Sequence, residues 1–131
     1  MSDDADDLAE RWLSYIERRH PVTGDLKDLT GPDIDEYNEP VQSLLDLVTG
    51  DHRKAMRVVE HILRRTSDSW ALENVGAGPL EDLLADGEDG LIAWVTGLPE
   101  RFTNAAEALS HVWIEGLPTQ SQVAVRKLVS G

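Results

Sequence analysis

Apolar residues recur along this chain at three- and four-residue intervals and show no convincing strand alternation, so the pattern predicts helices throughout. Ala5, Leu8, Trp12, Tyr15 and Ile16 share one side of a helix over about 4–19, with Asp6, Glu10, Ser14 and Glu17 opposite. Asp3, Asp4, Asp6 and Asp7 suit the positive end of its dipole, Arg18 and Arg19 the negative end, and Pro21 stops it. Residues 1–6 are the segment expected to fray, and 20–30 read as a loop. Ile34, Tyr37, Val41, Leu44, Leu45 and Val48 keep one helical phase across Pro40. Proline inside a helix costs about 3 kcal/mol, which favours a short turn at 33–37 followed by a helix over about 39–48. A single kinked helix is the alternative. Gly50 ends this segment.

The helix over about 51–65 buries Ala55, Met56, Val58, Val59, Ile62 and Leu63, while Arg53, Arg57 and Arg64 line up on its far side near Glu60. This is the chain's one basic stripe, and its plainest reading is a solvated face that pairs with neighbouring acids. A short helix follows over 67–75, another from Gly78-Pro79 to near Gly87, and a third over about 88–98. From Pro99, the residues Phe102, Ala105, Ala106, Leu109, Val112 and Trp113 share a face, which predicts one helix across 99–113. Gly116 breaks it, and Pro118 begins a last helix with Val125, Leu128 and Val129. The fold expected is all-α: a compact single-domain bundle of about seven or eight short helices over 1–131. The helices could stack as hairpins, though no fixed period demands it.

The sharpest local writing lies at 75–86. Gly76 is expected to end one helix and Gly78-Pro79 to open the next, because glycine tolerates the left-handed region after a helix and proline suits the first helical position. With Gly78 as the cap, Glu81 is the third helical residue, whose carboxylate reaches back to the cap's own N–H. Glu81 and Asp82 then face the positive helix end.

Composition sharpens the electrostatic picture. The net charge is −13, and cysteine is absent. Residues 1–50 hold 13 acids against 4 bases, 51–66 hold 2 against 5, and 67–100 hold 8 acids and no base. Nucleic acid is excluded as a partner by this balance, since phosphate demands a positive surface. An acidic surface favours basic partners, or serves solubility alone. The absence of cysteine removes disulfides, thiolate metal sites and cysteine nucleophiles, and agrees with a cytoplasmic setting. No apolar run reaches a membrane-spanning length, and the acidic N-terminus does not read as a signal peptide.

Catalytic and metal chemistry find little support. Asp33 to Glu39 begins like a calcium loop but has Tyr37, Asn38 and Leu44 where ligands, glycine and glutamate are needed. His52 and His61 are nine residues apart and point in nearly opposite directions, unlike a metal-binding pair; His20 precedes a proline, and His111 lies beside Trp113 near a predicted helix end. There is no serine-hydrolase elbow and no phosphate loop, and Gly76-x-Gly78 lacks the strand and third glycine of a dinucleotide site. Asp82 and Asp86 lie one turn apart, placed to bind a cation or a partner's arginine, or simply to repel one another.

The stretch from Leu72 to Leu84, with its Ala-Gly-Pro-Leu-Glu-Asp-Leu-Leu core, is followed some 28 residues later by His111-Val-Trp113. It resembles a family of small bacterial proteins of unknown function marked by that core and a downstream Val-Trp. The early tryptophan, Trp12, also fits. The resemblance covers roughly 55–117, and the glycine-containing segment 86–90 departs from it. It implies a compact, mostly helical domain and carries no reaction with it.

Three functions compete. The first is an acidic interaction module, such as an immunity or inhibitor-type regulator docking on a basic protein through Asp82, Asp86, Glu88 and Asp89. The alternative is a small-ligand binder or enzyme with a pocket near Glu81, His111 and Trp113, in which Gly78 and Pro79 shape the motif. Self-assembly through helix faces leaves a homo-oligomer open. No catalytic residue, metal ligand or cofactor is assigned.

Overall fold

The computed structural model describes residues 4–130 and is all-α: no strand occurs among the described residues. Residues 1–3 of the segment expected to fray lie outside the described residues, while Asp4 to Asp6 belong to the first helix. The helices divide between Arg65 and Thr66 into two compact units. No helix among the described residues is long and apolar enough to cross a membrane.

The first unit holds α1 (Asp4–Arg18), α2 (Pro32–Asp35), α3 (Glu39–Gly50) and α4 (His52–Arg65). The break before α3 falls where Pro40 asks for it. Proline occupies the first turn, where its missing N–H removes no helical bond. Asp51 caps α4 by accepting the Lys54 N–H at 3.2 Å. Helix α1 packs against α4 and α3, burying Ala5, Leu8, Trp12 and Ile16 against residues that include Leu44, Val58, Val59 and Ile62. Charges are matched across these helices. Asp6 accepts from Arg65 at 2.6 Å and stands 3.3 Å from His61. Arg11 bridges Asp7 and Glu39, and Arg18 holds Asp25 at 3.0 Å. The Arg18 guanidinium holds the exposed Asp25 carboxyl below its ordinary range. Arg53, Arg57 and Arg64 are exposed on α4, with Arg64 reaching toward His61.

The second unit holds α5 (Ser69–Val75), α6 (Glu81–Asp86), α7 (Asp89–Arg101), α8 (Ala105–Leu109) and α9 (Thr119–Ser130). Between α5 and α6 the chain does not break. Gly76–Leu80 is a π-helical turn, and Gly76 itself is right-handed (φ −66°, ψ −50°). The expected joint between two helices is therefore one continuous helix with a wide turn in it, and Pro79 is buried inside that turn. The physical reason is packing. A Cβ on Gly76 would lie 1.9 Å from the Ala108 carbonyl oxygen, so α8 runs directly against the Gly76 backbone. A π-turn also lowers the penalty of an interior proline, because the local hydrogen-bond register is already shifted there.

True helix ends come later. Gly87 is left-handed (φ 71°) and returns its N–H to Leu84, ending α6. Side chains from α9 secure that end: Ser121 Oγ–H donates a second bond to Leu84 O at 2.8 Å, and Gln120 donates to Gly87 O at 3.0 Å. The single helix predicted across 99–113 is also corrected. Helix α7 continues through Pro99 to Arg101, Phe102 is extended, and α8 is a short separate helix. Trp113 lies beyond it on non-helical backbone (φ −81°, ψ 101°), followed by a 3-10 turn at Ile114–Gly116.

Gly76 and Gly78 should respond unequally to alanine, although both occupy the π-turn. Gly76→Ala must displace α8 and should lose about 3 kcal/mol of stability in urea unfolding. Gly78→Ala meets no atom within 4 Å beyond its chain neighbours. Its methyl group crowds only the ring of Pro79, so it should cost about 1 kcal/mol or less. Equal losses in both variants would contradict the packing account.

A groove in the second unit built on Glu81 and Trp113

The π-turn leads directly into Glu81, the first residue of α6. Its carboxylate was expected to turn back onto its own helix start. With no helix start there, Glu81 instead reaches across the unit, and its Oε1 accepts the backbone N–H of Trp113 at 2.7 Å. That bond explains why the helical pattern of 105–113 is not followed to its end. Ser110 still donates a helical bond to Ala106, His111 and Val112 close tighter turns onto Ala108 and Leu109, and the Trp113 N–H then finds a carboxylate in place of a helical carbonyl. A charge-assisted bond of this kind is stronger than a neutral one.

Anchored by its backbone, Trp113 is 68% exposed as a residue, whereas Trp12 is 3% exposed. The residue placed on a buried helix face by periodicity is thus one of the most exposed large apolar side chains described. Beside it lies a groove of about 430 Å³ lined by Glu81, Asp82, Ala85, Trp113, Glu115, Gly116 and Leu117. All three charged residues of the lining are acids. Partial burial, reinforced by the neighbouring Glu81 charge, pushes the Asp82 carboxyl above its ordinary range.

The structure brings together some of the residues singled out by sequence and leaves others apart. Glu81 and Trp113 meet, Asp82 lines their groove, and His111 does not. His111 is exposed after α8, with its Cβ close to the Gly76 backbone. Gly78 is half-buried and Pro79 buried within the π-turn, so both shape the approach to Glu81 without lining the groove. Asp86 ends α6, Glu88 precedes α7 and Asp89 begins it; all three are exposed. Glu115 and Leu117 escaped notice in the sequence. The only signal for them is the Gly116-Leu-Pro118 turn, which marks a loop without saying what the loop faces.

A second concavity of about 440 Å³ in the same unit is lined by Leu109, Val112, Val125, Val129 and others, with Arg126 its one charged lining residue among those described. It offers nothing to a cation. In the first unit, the cleft that contains Asp4, Asp7 and Asp46 also contains Arg11 and Lys54, and its acids are partly neutralised from within. The Glu81–Trp113 groove differs from both by presenting acids and an exposed aromatic ring together.

No protein-family model matches this chain, and neither does any curated protein or solved structure.

Two variants check this geometry. Glu81→Ala should cost about 1 kcal/mol or more in unfolding experiments, while Glu81→Gln, whose amide oxygen can still accept from Trp113, should cost less than half as much. Asp82 supplies a pH test. Its folded pKa lies above the unfolded value, so the folded chain holds that proton more tightly and the ionised carboxylate disfavours folding at neutral pH. Asp82→Asn should therefore unfold at higher temperature than the natural chain at pH 7. The gap should narrow as pH falls through the raised Asp82 pKa. A gap that widens on acidification would contradict the assigned direction.

Proposed function

We propose that this chain is an acidic protein-interaction module, of the immunity or inhibitor type, that docks on a basic partner protein through the second unit. One observation carries the reading: several acids of the first unit are paired with its own bases, whereas among the described residues the acids that line the groove in the second form no ion pair. Asp6, Asp7, Asp25 and Glu39 all have arginine partners. The groove lining holds Glu81, Asp82 and Glu115 and no base. Asp86, Glu88 and Asp89 extend the acidic surface through the α6–α7 turn. Fixed negative charge of this kind accelerates encounter with a positive surface and selects against acidic partners. An exposed tryptophan at its centre supplies the type of residue that dominates binding energy once desolvated.

The same charge argues against a nucleic-acid partner, and the cysteine-free composition suits a cytoplasmic location. A pocket for small-ligand chemistry is less well supported. Its three nominated groups do not converge, and Glu81 already accepts a hydrogen bond. The resemblance around Ala77 to Leu84 adds no reaction to weigh against docking.

Capture from native lysate at low salt should use two baits in parallel: the natural chain and the Asp82→Lys/Asp86→Lys double variant. A stoichiometric basic protein should elute from the first on raising salt, and bind the second at least tenfold more weakly with a shallower salt dependence. Equal recovery on both folded baits, or an empty eluate from the natural chain, would overturn the assignment.

A further inference from the structure

We propose that the Glu81–Trp113 groove is the seat of one arginine side chain of the basic partner, its guanidinium stacked on the Trp113 indole and held by the carboxylates of Asp82 and Glu115. The inference rests on the docking reading and deepens it, because it names the chemical group that is recognised and the residues that recognise it.

The position of the indole is the first argument. Side chains as large as tryptophan are usually placed by burial, but Trp113 is placed by its backbone, through the 2.7 Å bond from its N–H to Glu81. The ring is therefore presented to solvent on a fixed main chain. Less freedom remains to be lost when something stacks on it. The exposed face of an indole carries negative electrostatic potential and attracts cations above all other partners of similar size.

Charge complementarity is the second argument and decides the class of occupant. Every ionisable residue in the lining is acidic, and among the described residues neither Asp82 nor Glu115 forms an ion pair. The partly buried Asp82 carboxylate, crowded by Glu81, is held in an unfavourable ionised state that an incoming cation would relieve. A bare metal ion would use the carboxylates but not the ring. An apolar side chain would use the ring but strand the carboxylates. A guanidinium uses both: its flat face stacks on the indole while its edge offers forked N–H donors to carboxylate oxygens. An ammonium is more strongly hydrated and lacks the flat face, so lysine should be accepted less well. The lining also leaves space where the cation would enter, because Gly116 and Ala85 carry little or no side chain.

The experiment follows the Trp113 indole N–H by NMR while ¹⁵N-labelled protein is titrated with acetyl-Gly-Arg-Gly-amide, with its lysine and citrulline counterparts and with a nona-arginine peptide. Loss of one resonance in Trp113→Phe assigns the signal. The arginine peptide should move it saturably, lysine at least threefold more weakly, and citrulline, the same shape without the charge, at the limit of detection. The Asp82→Asn/Glu115→Gln variant should raise the apparent Kd at least fivefold. Neither substitution touches the Glu81 bond, so the natural fold is retained and its spectrum verifies this. A Trp113 signal unmoved by nona-arginine, while resonances of 86–89 shift, would overturn the arginine seat and leave acidic docking standing. No shift anywhere would overturn both. Equal response to citrulline would overturn the seat by showing that charge is not what is recognised.

Discussion

The backbone of α8 rests on Gly76, with no room for even a methyl group between Gly76 and the carbonyl of Ala108. Everything distinctive about the second unit follows from that approach. To bring the two backbones together, the helix that begins at Ser69 must keep going past Gly76, and it does so through a π-turn that absorbs Pro79. The extra residue in the turn resets the helical phase, so that Leu83 and Leu84 face the core while Glu81 reaches the chain beyond α8. The carboxylate then takes the Trp113 N–H, and the indole is left outside. A packing constraint at one glycine is converted, five residues later, into the placement of an exposed aromatic ring.

Electrostatics separates the two units in kind. In the first, arginines on α1 and α4 lie within hydrogen-bonding reach of aspartates on α1 and in the loop after it. These exposed pairs contribute little to stability individually, but each sets a base beside an acid. In the groove of the second unit the local charge is one-sided. Partial desolvation first, and the neighbouring Glu81 charge second, raise the Asp82 carboxyl pKa, so its ionised form works against folding. Residues that disfavour folding yet occupy a concave surface are the ones a binding role explains most economically.

The sequence made the helical class legible because periodic apolar spacing survives in almost every element, from Leu8 and Trp12 in α1 to Val58 and Ile62 in α4. Proline and glycine located several boundaries: Pro40 sits in the first turn of α3, and Gly87 ends α6. The same residue types misled at 76–79 and at 99. Local rules treat Gly-x-Gly-Pro as a helix stop and start, and only the contact with Ala108, 32 positions away, makes continuity the better solution. Trp113 was misplaced for a related reason. It fits the apolar phase of 102–112, but a long-range carboxylate outcompeted the last helical hydrogen bonds. Asp82, Glu81 and Trp113 were visible as candidates; their meeting, and the part played by Glu115, depended on tertiary contacts that spacing does not encode.

The bond between Glu81 and the Trp113 N–H is the claim from which the groove and the placement of the ring descend, and on which the proposed docking rests. Its most direct measurement is hydrogen exchange at the Trp113 amide in the natural chain and in Glu81→Ala. The account expects that amide to exchange slowly in the natural chain and at least about tenfold faster in Glu81→Ala, with the helical amides of α5 and α6 little changed. A Trp113 amide that exchanges at the rate of an unstructured chain, or equally slowly in both proteins, would contradict it.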